Sequence, residues 1–595
     1  MRAQSEYSRI LNEMNNFLSK GNRVAWCIFC LFALLLFSKV LLFHWNVYHG
    51  FLISSIWSNP INFWSFWLPK IGMPLFLASF VFFSKRNCWT IVVSFIIDTW
   101  MMANMFYLRS NGILFDGFTF TMAGNMDGFW SSVLALYTWG DFVPYGLTIL
   151  YTIVLLLLNR VKTERYWKIG CVVLICTILL NQYSYSLMKY YSYLVVEDEV
   201  GKKHSSLSYL YETPLSYEYR RRVERLKKDY AFYHFSVIHG LIFVGLDTMH
   251  NINEMNKPYE IANKEELAKR LQMNDNKGLR YDNLLVIIIV ESLESWAVNA
   301  TVMPHLQYFM ETHPVLHAKY LKSQIVGGSS ADGQMIINTG LLPIQHGAAC
   351  FRYPWITYPS FVNRTDSSVT ILTHGTTVWN QEAMSLAYGY DITLDGPVED
   401  SILVQRVIEY AQRDYKTIQA ITMASHVPFH YADRSKLNLP KDMPNMMADY
   451  IKCLNWTDEG LGYLFDRIDT IPELANATIV ITGDHTVFWQ EKRNEFETYC
   501  KSAHEVYDVQ KGYVPLIIYS PEKIKQDVVV EDINYHMDLY PTVMYLLGAE
   551  NYYWKGFGVN LLDSVARNNR QWSEEEAYFI SDELIRANWF ETYNK

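Results

Sequence analysis

Five long apolar runs in the first third of the chain constrain its fold more than any other feature. The runs cover residues 23–45, 63–83, 89–108, 142–158 and 169–188. A helix of about 20 apolar residues spans the hydrocarbon core of a bilayer. We therefore predict a five-helix transmembrane domain in residues 1–188. The first run is too long for a signal peptide and lacks a small-residue cleavage site, so we expect it to be retained as an anchor.

The charges that flank these runs predict the orientation of the domain. Lys and Arg cluster before the first run, between the second and third, and between the fourth and fifth, at Arg2, Arg9, Lys20, Arg23, Lys85, Arg86, Arg160, Lys162, Arg165 and Lys168. The alternate loops carry almost none. Because basic loops stay in the cytoplasm, the N-terminus is predicted inside and everything after residue 188 outside. Pro69, Lys70 and Pro74 interrupt the second run, and a re-entrant or interfacial segment there would reverse this topology.

One carboxylate lies inside a predicted span. Asp98 is in the third run, and ionisable residues within spans are candidates for functional sites. The alternative is a structural carboxyl group that is protonated or hydrogen-bonded to Trp100 or Asn104. The sequence leaves both interpretations open.

A connector rich in tyrosine and charge follows the last span, at residues 189–282. Within it, residues 217–233 mix basic with aromatic side chains and lead into the apolar stretch 235–246. This pattern suits an amphipathic helix on anionic lipid headgroups. A solvated helix face explains the charges alone equally well. We predict an amphipathic juxtamembrane linker over 189–282.

The remainder, residues 283–595, alternates short β-branched runs with stretches of helix length. The runs lie at 284–290, 368–373, 417–422, 478–482 and 515–519. Continuous apolar strands that alternate with helices are typical of a mostly parallel sheet covered on both faces. We therefore predict an α/β domain over 283–595.

Metal-ligand side chains follow three of these runs. Glu291 comes directly after the first run, His426 shortly after the third, and Asp484 and His485 after the fourth. Each taken alone is as well explained by a helix cap or an ordinary histidine. Because the carboxyl ends of parallel strands share one edge, where ligands bind, their joint placement indicates a site. It predicts that Glu291, Asp484 and His485 hold a divalent cation.

A pair of serines flanked by glycines supplies a nucleophile candidate. Gly327 and Gly328 permit the backbone angles of a tight turn, and Ser329 or Ser330 can then cap the helix that follows. A hydroxyl there lies at the positive end of the helix dipole, where an alkoxide or a phosphate is stabilised. By itself this segment is an ordinary helix N-cap, and the candidate metal ligands are what favour a catalytic role.

These residue types fit metal-assisted substitution at phosphorus or sulfur. A cation depresses the pKa of a bound hydroxyl and stabilises charge on the reacting oxygens. The serine would then form a covalent intermediate that splits one displacement into two. His426 and His536 are candidates for protonating the leaving alkoxide and deprotonating the acceptor hydroxyl.

Several segments resemble the lipoteichoic acid synthase family. They are residues 283–296, 327–332, 379–380, 425–429, 483–485 and 537–542. This family belongs to the alkaline phosphatase and sulfatase superfamily, and its members have five membrane spans, a linker and an extracellular catalytic domain. The resemblance implies a multi-pass protein of the cytoplasmic (inner) membrane with a sulfatase-like catalytic domain at 283–595 that is extracytoplasmic.

Carried over by motif, the resemblance implies one metal site and one nucleophile. The implied ligands of Mn²⁺ or Mg²⁺, with Zn²⁺ as a further candidate, are Glu291, Ser330, Asp484 and His485. The threonine nucleophile of the family falls on Ser330, and Ser329 is the alternative if the match shifts by one. Glu294 is a rival to Glu291, although the Glu-Ser-Leu-x-Ser pattern favours Glu291.

On the substrate side, the resemblance implies contacts from His426, Trp379 and His536, with His426 at the substrate phosphate. Family members that handle phosphoglycerol have an Arg where this chain has Gln381. The missing guanidinium removes a bidentate grip, which leaves the donor headgroup open. His536 resembles a histidine of the related phosphoethanolamine transferases, where it supports the phosphate or a second zinc, and the alternative is an ordinary residue at a helix start.

We therefore predict a metal-dependent phosphotransferase that moves a phosphoglycerol-type headgroup from phosphatidylglycerol to an envelope glycan or glycolipid, through a phosphoserine. One alternative is phosphoethanolamine transfer from phosphatidylethanolamine. Another is an inactive member that binds a glycan or glycerophosphate. Sulfatase activity is less expected, because neither serine lies in a Cys/Ser-x-Pro-x-Arg pattern. A net charge of −9 and the lack of a basic stripe argue against nucleic acid as a partner.

Overall fold

A computed structural model describes most of the chain in segments. These are residues 20–48, 60–111, 114–115, 136–158, 166–191, 196–197, 203–204, 236–242, 244–246, 264–273, 281, 283–326, 328–344, 367–376, 380–396, 399–503 and 507–590. Contacts divide the chain into two compact units. The first contains residues 1–108, 114–117 and 137–254, and the second contains residues 109–113, 118–136 and 255–595. The basic-aromatic segment 217–233 of the predicted linker lies outside the described residues.

Five long helices build the first unit. They are α1 (Lys20–Tyr48), α2 (Pro60–Ser79), α3 (Trp89–Asn111), α4 (Val143–Leu158) and α5 (Trp167–Tyr191). All five are long and apolar enough to cross a membrane, in some cases together with a short 3-10 turn that adjoins the helix. The predicted number of spans is therefore confirmed. The helix α2 continues through Pro69 and Pro74, and it packs against α1 and α5. The prolines therefore do not break the second span.

Asp98 is fully buried and forms an ion pair with Lys39 of α1. The distance from Lys39 Nζ to Asp98 Oδ1 is 2.5 Å, and Thr148 Oγ1 of α4 donates to Asp98 Oδ2 at 2.5 Å. Lys39 Nζ also donates to Ser94 Oγ and Thr148 Oγ1, each at 2.6 Å. Lys39 and Asp98 have no exposed side-chain surface. This polar network therefore joins α1, α3 and α4 inside the bundle.

In the structural alternative for Asp98, the two hydrogen-bond partners that we named, Trp100 and Asn104, are wrong. Asn104 donates instead to the carbonyl of Trp100 at 2.9 Å, and Trp100 Nε1 donates to the carbonyl of Val237 at 3.1 Å. Residues two apart on a helix do not face each other, and residue 104 lies more than one turn further along. The true partners of Asp98 lie on other helices, α1 and α4. Inspection of neighbouring residues in the sequence does not identify such partners.

The second unit contains an eight-stranded sheet, with three strands beyond the five runs predicted. The strands are β1 (Leu285–Val290), β2 (Val315–Lys322), β3 (Ser368–Leu372), β4 (Ile392–Leu394), β5 (Thr417–Ile421), β6 (Thr478–Gly483), β7 (Tyr513–Tyr519) and β8 (Val528–Tyr535). Their order is β8-β2-β7-β6-β1-β5-β3-β4. Only β7 runs antiparallel to its neighbours among these strands. The prediction of a mostly parallel sheet is confirmed.

Helices cover both faces of the sheet. They are α6 (Lys264–Arg270), α7 (Pro304–Thr312), α8 (Ser330–Thr339), α9 (Gln381–Ala387), α10 (Asp400–Gln412), α11 (Asn445–Phe465), α12 (Pro472–Ala475), α13 (Gln490–Ala503), α14 (Leu539–Leu546), α15 (Ser564–Asn568) and α16 (Glu574–Arg586). In β1, Ile287 and Ile289 pack into one core with α8, α14 and α16. The alternate residues Ile288 and Val290 pack into the opposite core with α7, α10, α11 and α13. A strand buried on both faces explains the unbroken apolar run of β1.

The Lys39–Asp98 pair allows a stability prediction. Replacement of Asp98 by Ala leaves the Lys39 ammonium buried without its counter-charge, so we expect a loss of about 3–5 kcal/mol in the free energy of unfolding. The double variant Lys39→Met, Asp98→Leu removes both charges and should recover most of that loss. Thermal and denaturant unfolding of the full chain in detergent measures both. The control is Ile96→Ala on the exposed face of α3, and equal losses in the single and double variants would contradict the prediction.

Candidate metal and nucleophile site

The register of two neighbouring strands sets two carboxylates side by side. β1 and β6 pair in parallel, and Val290 lies opposite Gly483. The next residue on each strand is an acid, Glu291 and Asp484, and His485 follows the second. One ligand atom from each of these three side chains lies within 4.8 Å of the others. The structure therefore brings together the three metal-ligand candidates that the strand ends predicted.

Ser292 orients both carboxylates. Its backbone has a φ of 54°, an uncommon conformation for a residue with a side chain. In this conformation the Ser292 N–H donates to Asp484 Oδ1 at 2.8 Å, and Ser292 Oγ donates to Glu291 Oε1 at 2.7 Å. Tyr450 OH donates to the Ser292 carbonyl at 2.8 Å and supports the turn. Ser292 thus hydrogen-bonds to one oxygen of each carboxylate, Glu291 Oε1 and Asp484 Oδ1. It makes no such bond to the second oxygen of either carboxylate.

The first turn of α8 places Ser330 within this cluster. Ser330 Oγ donates to Glu291 Oε2 at 3.1 Å and lies 3.1 Å from His485 Nε2. Ser329 is the N-cap residue, with a φ of 45°. A Cβ atom added to Gly333 would lie 2.4 Å from the Asp484 carbonyl oxygen, so only glycine permits this approach. Ser330, one of the two serine candidates, is therefore in hydrogen-bond contact with the Glu291 carboxylate and the His485 imidazole.

Burial and mutual charge perturb the three groups strongly. Burial alone would raise the pKa of Glu291, but the hydrogen bond and the charge of His485 outweigh it and lower that pKa. Burial, followed by the charge of Glu291, raises the pKa of Asp484 to about 6. Burial would lower the pKa of His485, yet the two carboxylates raise it to about 10. A positive charge is therefore strongly favoured between these carboxylates.

The donor set fits a divalent cation. It consists of two carboxylates, one imidazole nitrogen and one hydroxyl, from Glu291, Asp484, His485 and Ser330. Asp484 Oδ2 is buried and accepts no hydrogen bond within normal distance from the described residues. Oxygen ligands suit Mg²⁺ and Mn²⁺, and an imidazole with carboxylates also suits Zn²⁺.

Glu294, the rival to Glu291, is engaged elsewhere. Arg493 donates to both of its oxygens, at 2.9 Å and 2.8 Å. Trp296 Nε1 donates to Glu294 Oε2 at 2.7 Å, and the Val487 N–H donates to Oε1 at 2.9 Å. Both carboxylate oxygens of Glu294 therefore accept hydrogen bonds from these donors, and Glu294 is not part of the ligand cluster.

Three further histidines follow strands at the same edge of the sheet. Burial lowers the pKa of His426, although the charge of Glu291 acts in the opposite direction. The Nδ1 atom of His426 donates to the Val427 carbonyl at 2.6 Å. Burial, followed by the charge of His485, lowers the pKa of His536 to about 4. His374, two residues after the end of β3, was not singled out from the sequence, although the strand-end rule could have found it. Burial lowers its pKa too, while the charge of Glu291 raises it.

One predicted substrate contact, Trp379, and one departure from the family pattern, Gln381, remain to be placed. Trp379 lies outside the described residues, so its predicted contact stays a prediction. Gln381, the residue that stands in place of an arginine, is buried at the start of α9. His426 and His536 lie close enough to the cluster for Glu291 or His485 to affect their pKa values.

The charge state of His485 predicts how cation binding depends on pH. Because the pKa of His485 is raised to about 10, an entering cation must displace a proton at neutral pH. Mn²⁺ affinity should therefore rise by about tenfold per unit between about pH 7 and pH 8.5. Calorimetry in buffers of different ionisation enthalpy should show about one proton released per ion. His485→Gln is the control, and a flat affinity in the wild-type protein would contradict the assignment.

Comparison with known proteins places this site in a wider context. Residues 284–549 match the sulfatase family. The lipoteichoic acid synthase-like protein YvgJ of Bacillus subtilis is 23% identical over 553 residues, which cover 85% of this chain and 81% of that protein. The lipoteichoic acid synthase of Staphylococcus saprophyticus is 22% identical over 545 residues, which cover 83% of this chain and 78% of that protein. The solved structure of the integral membrane lipooligosaccharide phosphoethanolamine transferase of Neisseria meningitidis aligns with a TM-score of 0.49 at 13% identity, over 88% of this chain and 96% of that one.

Proposed function

We propose that this chain, a lipoteichoic acid synthase-like member of the alkaline phosphatase superfamily with a sulfatase domain at residues 284–549, is a membrane phosphotransferase. It moves a phospho-alcohol headgroup from a phospholipid to a hydroxyl of an envelope glycan or glycolipid. The observation that carries this proposal is the placement of Ser330 Oγ at 3.1 Å from both Glu291 and His485.

Ser330 is the proposed nucleophile. Its oxygen attacks the phosphorus of the lipid, the bond to the diacylglycerol oxygen breaks, and the headgroup phosphate stays on Ser330. The proton of the serine hydroxyl ends on the diacylglycerol oxygen. An acceptor hydroxyl then attacks the same phosphorus, the bond from phosphorus to Ser330 Oγ breaks, and the proton of the acceptor ends on Ser330. The position of Ser330 at the start of α8 directs the positive end of the helix dipole toward the phosphoryl oxygens.

A divalent cation bound by Glu291, Asp484, His485 and Ser330 would depress the pKa of the serine hydroxyl and offset phosphoryl charge. His426 is the proposed acid–base residue beside the substrate phosphate, to which it can donate once its Nε2 has taken up a proton. Burial lowers its pKa and keeps its imidazole neutral at neutral pH. Because its Nδ1 donates to the Val427 carbonyl, its Nε2 can accept the proton of the acceptor hydroxyl.

The proposed reaction takes place outside the cytoplasmic membrane. The helices α1 to α5 supply an odd number of spans, and the basic residues of alternate loops favour a cytoplasmic N-terminus. The sulfatase domain, which follows the last span, is then extracytoplasmic. Diacylglycerol, the leaving product, stays in the bilayer.

Phosphoglycerol is the first choice of headgroup, because two relatives that align over 85% and 83% of this chain are named for lipoteichoic acid synthesis. Phosphoethanolamine is the second candidate. Gln381 stands in place of a guanidinium that would grip phosphoglycerol, and His536 is buried near His485. Both observations bear on which headgroup is bound. Ser330 is the proposed nucleophile for either headgroup.

The experiment is headgroup transfer by the purified full chain in bilayers that contain labelled phosphatidylglycerol or phosphatidylethanolamine. Ser330→Ala should reduce turnover by at least about a thousandfold and abolish the labelled phosphoenzyme, because the variant has no nucleophile. Ser329→Ala, the matched control, should retain both. Labelling that survives in Ser330→Ala and disappears in Ser329→Ala would move the nucleophile by one residue.

Consumption of phosphatidylglycerol supports phosphoglycerol transfer, and consumption of phosphatidylethanolamine supports the second candidate. A protein that incorporates no label from either lipid, yet binds a glycan or glycerophosphate, would be an inactive binding member of the family. That outcome would overturn the proposed function.

A further inference from the structure

The buried ion pair between Glu294 and Arg493 connects the segment after Glu291 to the segment after His485. Arg493 is on α13, and Glu294 is three residues after Glu291. Arg493 Nη1 donates to Glu294 Oε2 at 2.9 Å, and Nη2 donates to Oε1 at 2.8 Å. The side chain of Arg493 is 7% exposed and that of Glu294 is fully buried. This bidentate geometry is the strongest form of a carboxylate–guanidinium contact.

We infer that this pair is a clasp that positions His485 for the cation, so that Glu294 and Arg493 are positioning residues of the proposed metal site. The inference rests on the proposed function, because it assigns His485 as a ligand. Neither residue of the clasp hydrogen-bonds to Glu291, Asp484, His485 or Ser330. Their effect reaches His485 through the backbone that follows it.

The first link is between Glu294 and the backbone at Val487. Glu294 Oε1 accepts the N–H of Val487 at 2.9 Å and, at the longer distance of 3.4 Å, the N–H of Phe488. The carboxylate thus fixes the two residues that come immediately after Thr486. Arg493 holds the carboxylate in place for this contact, and Trp296 Nε1 holds its other oxygen at 2.7 Å.

The second link is between Thr486 and the imidazole of His485. His485 Nδ1 lies 3.0 Å from the Thr486 carbonyl oxygen. A carbonyl oxygen only accepts, so Nδ1 carries the hydrogen. Nε2, at 3.1 Å from Ser330 Oγ, is then the nitrogen that can bind a cation. A hydrogen bond from the distal nitrogen to a carbonyl is a common way in which proteins fix the orientation and tautomer of a metal-binding histidine.

The other end of the clasp is anchored to the body of the domain. Arg493 Nη1 also donates to the Val509 carbonyl at 2.8 Å. A Cβ atom at Gly512 would lie 2.7 Å from Arg493 Nη2, so the guanidinium is closely enclosed. A lysine at position 493 would keep the positive charge but could not reach both carboxylate oxygens and the Val509 carbonyl in the same geometry.

The test measures Mn²⁺ binding to the purified full chain, with Arg493→Lys and Glu294→Gln as variants. We expect both to lower Mn²⁺ affinity by about 10- to 100-fold, as loss of such supporting contacts does elsewhere. Headgroup transfer should show a lower kcat at saturating Mn²⁺ with an unchanged KM for the lipid, because the clasp does not touch the substrate. The matched control is Lys492→Ala on the same helix, whose ion pair with Glu495 is at the surface.

A spectroscopic readout separates positioning from a structural role. Pulsed paramagnetic resonance of bound Mn²⁺ detects the directly coordinated ¹⁴N of His485. In Arg493→Lys this nitrogen signal should weaken while the carboxylates still hold the ion, and in Lys492→Ala it should match the wild type. If Arg493→Lys does not fold, Glu294→Gln decides the matter, since the amide keeps the size of the carboxylate but replaces one of the two oxygens that accept from Arg493, Trp296 and Val487 by an NH₂ group.

Two results would overturn the inference. Folded variants with wild-type Mn²⁺ affinity and an unchanged nitrogen signal would show that the clasp does not position His485, while the proposed function stands. A wild-type protein that binds no Mn²⁺ and gives no phosphoenzyme would instead show that the proposed function fails, and the inference with it.

Discussion

Two carboxylates buried side by side are the constraint on which the catalytic unit depends. The parallel register of β1 and β6 places Glu291 next to Asp484, and both side chains are nearly inaccessible to water. Like charges so close, and without solvent, are unfavourable unless a positive charge or several donors compensate them. The fold supplies the donors through the turn at Ser292 and a charge through His485. The rest of the fold thus offsets the cost of bringing the two carboxylates together, and this is the physical basis for proposing that they bind a cation.

The parts of this arrangement that follow from local sequence were predictable. The apolar run that becomes β1 is buried on both faces, so a strand with a ligand-bearing carboxyl end follows from its pattern. The same reasoning located Asp484 and His485 at the end of β6. The strands β2 and β8 were missed because polar residues such as Lys319 and Glu531 interrupt their apolar pattern. These two residues form an ion pair between the two neighbouring strands. Their presence in a strand is explained only when the pairing of β2 with β8 is known.

The long-range ion pairs could not be predicted from sequence for a related reason. Lys39 and Asp98 come from different helices, and Glu294 and Arg493 are 199 residues apart in the chain. No periodicity marks either pair, because the two charged residues of each pair lie on different elements of the chain. Each pair is nevertheless buried, and a buried charge without its partner is strongly unfavourable. The pairing is therefore fixed by packing of the whole unit, not by any local preference.

The approach of α8 to β6 connects these constraints to the nucleophile. Since a Cβ atom at Gly333 would meet the Asp484 carbonyl, the first turn of the helix lies closer to the strand end than any larger residue would permit. Serine is not β-branched, so its χ1 angle is less restricted than that of a threonine at the same position. The contacts of Ser330 Oγ to Glu291 and His485 then select its rotamer. The groups that would hold the cation thus also aim the hydroxyl, and a shift of His485 would disturb the metal site and the nucleophile together.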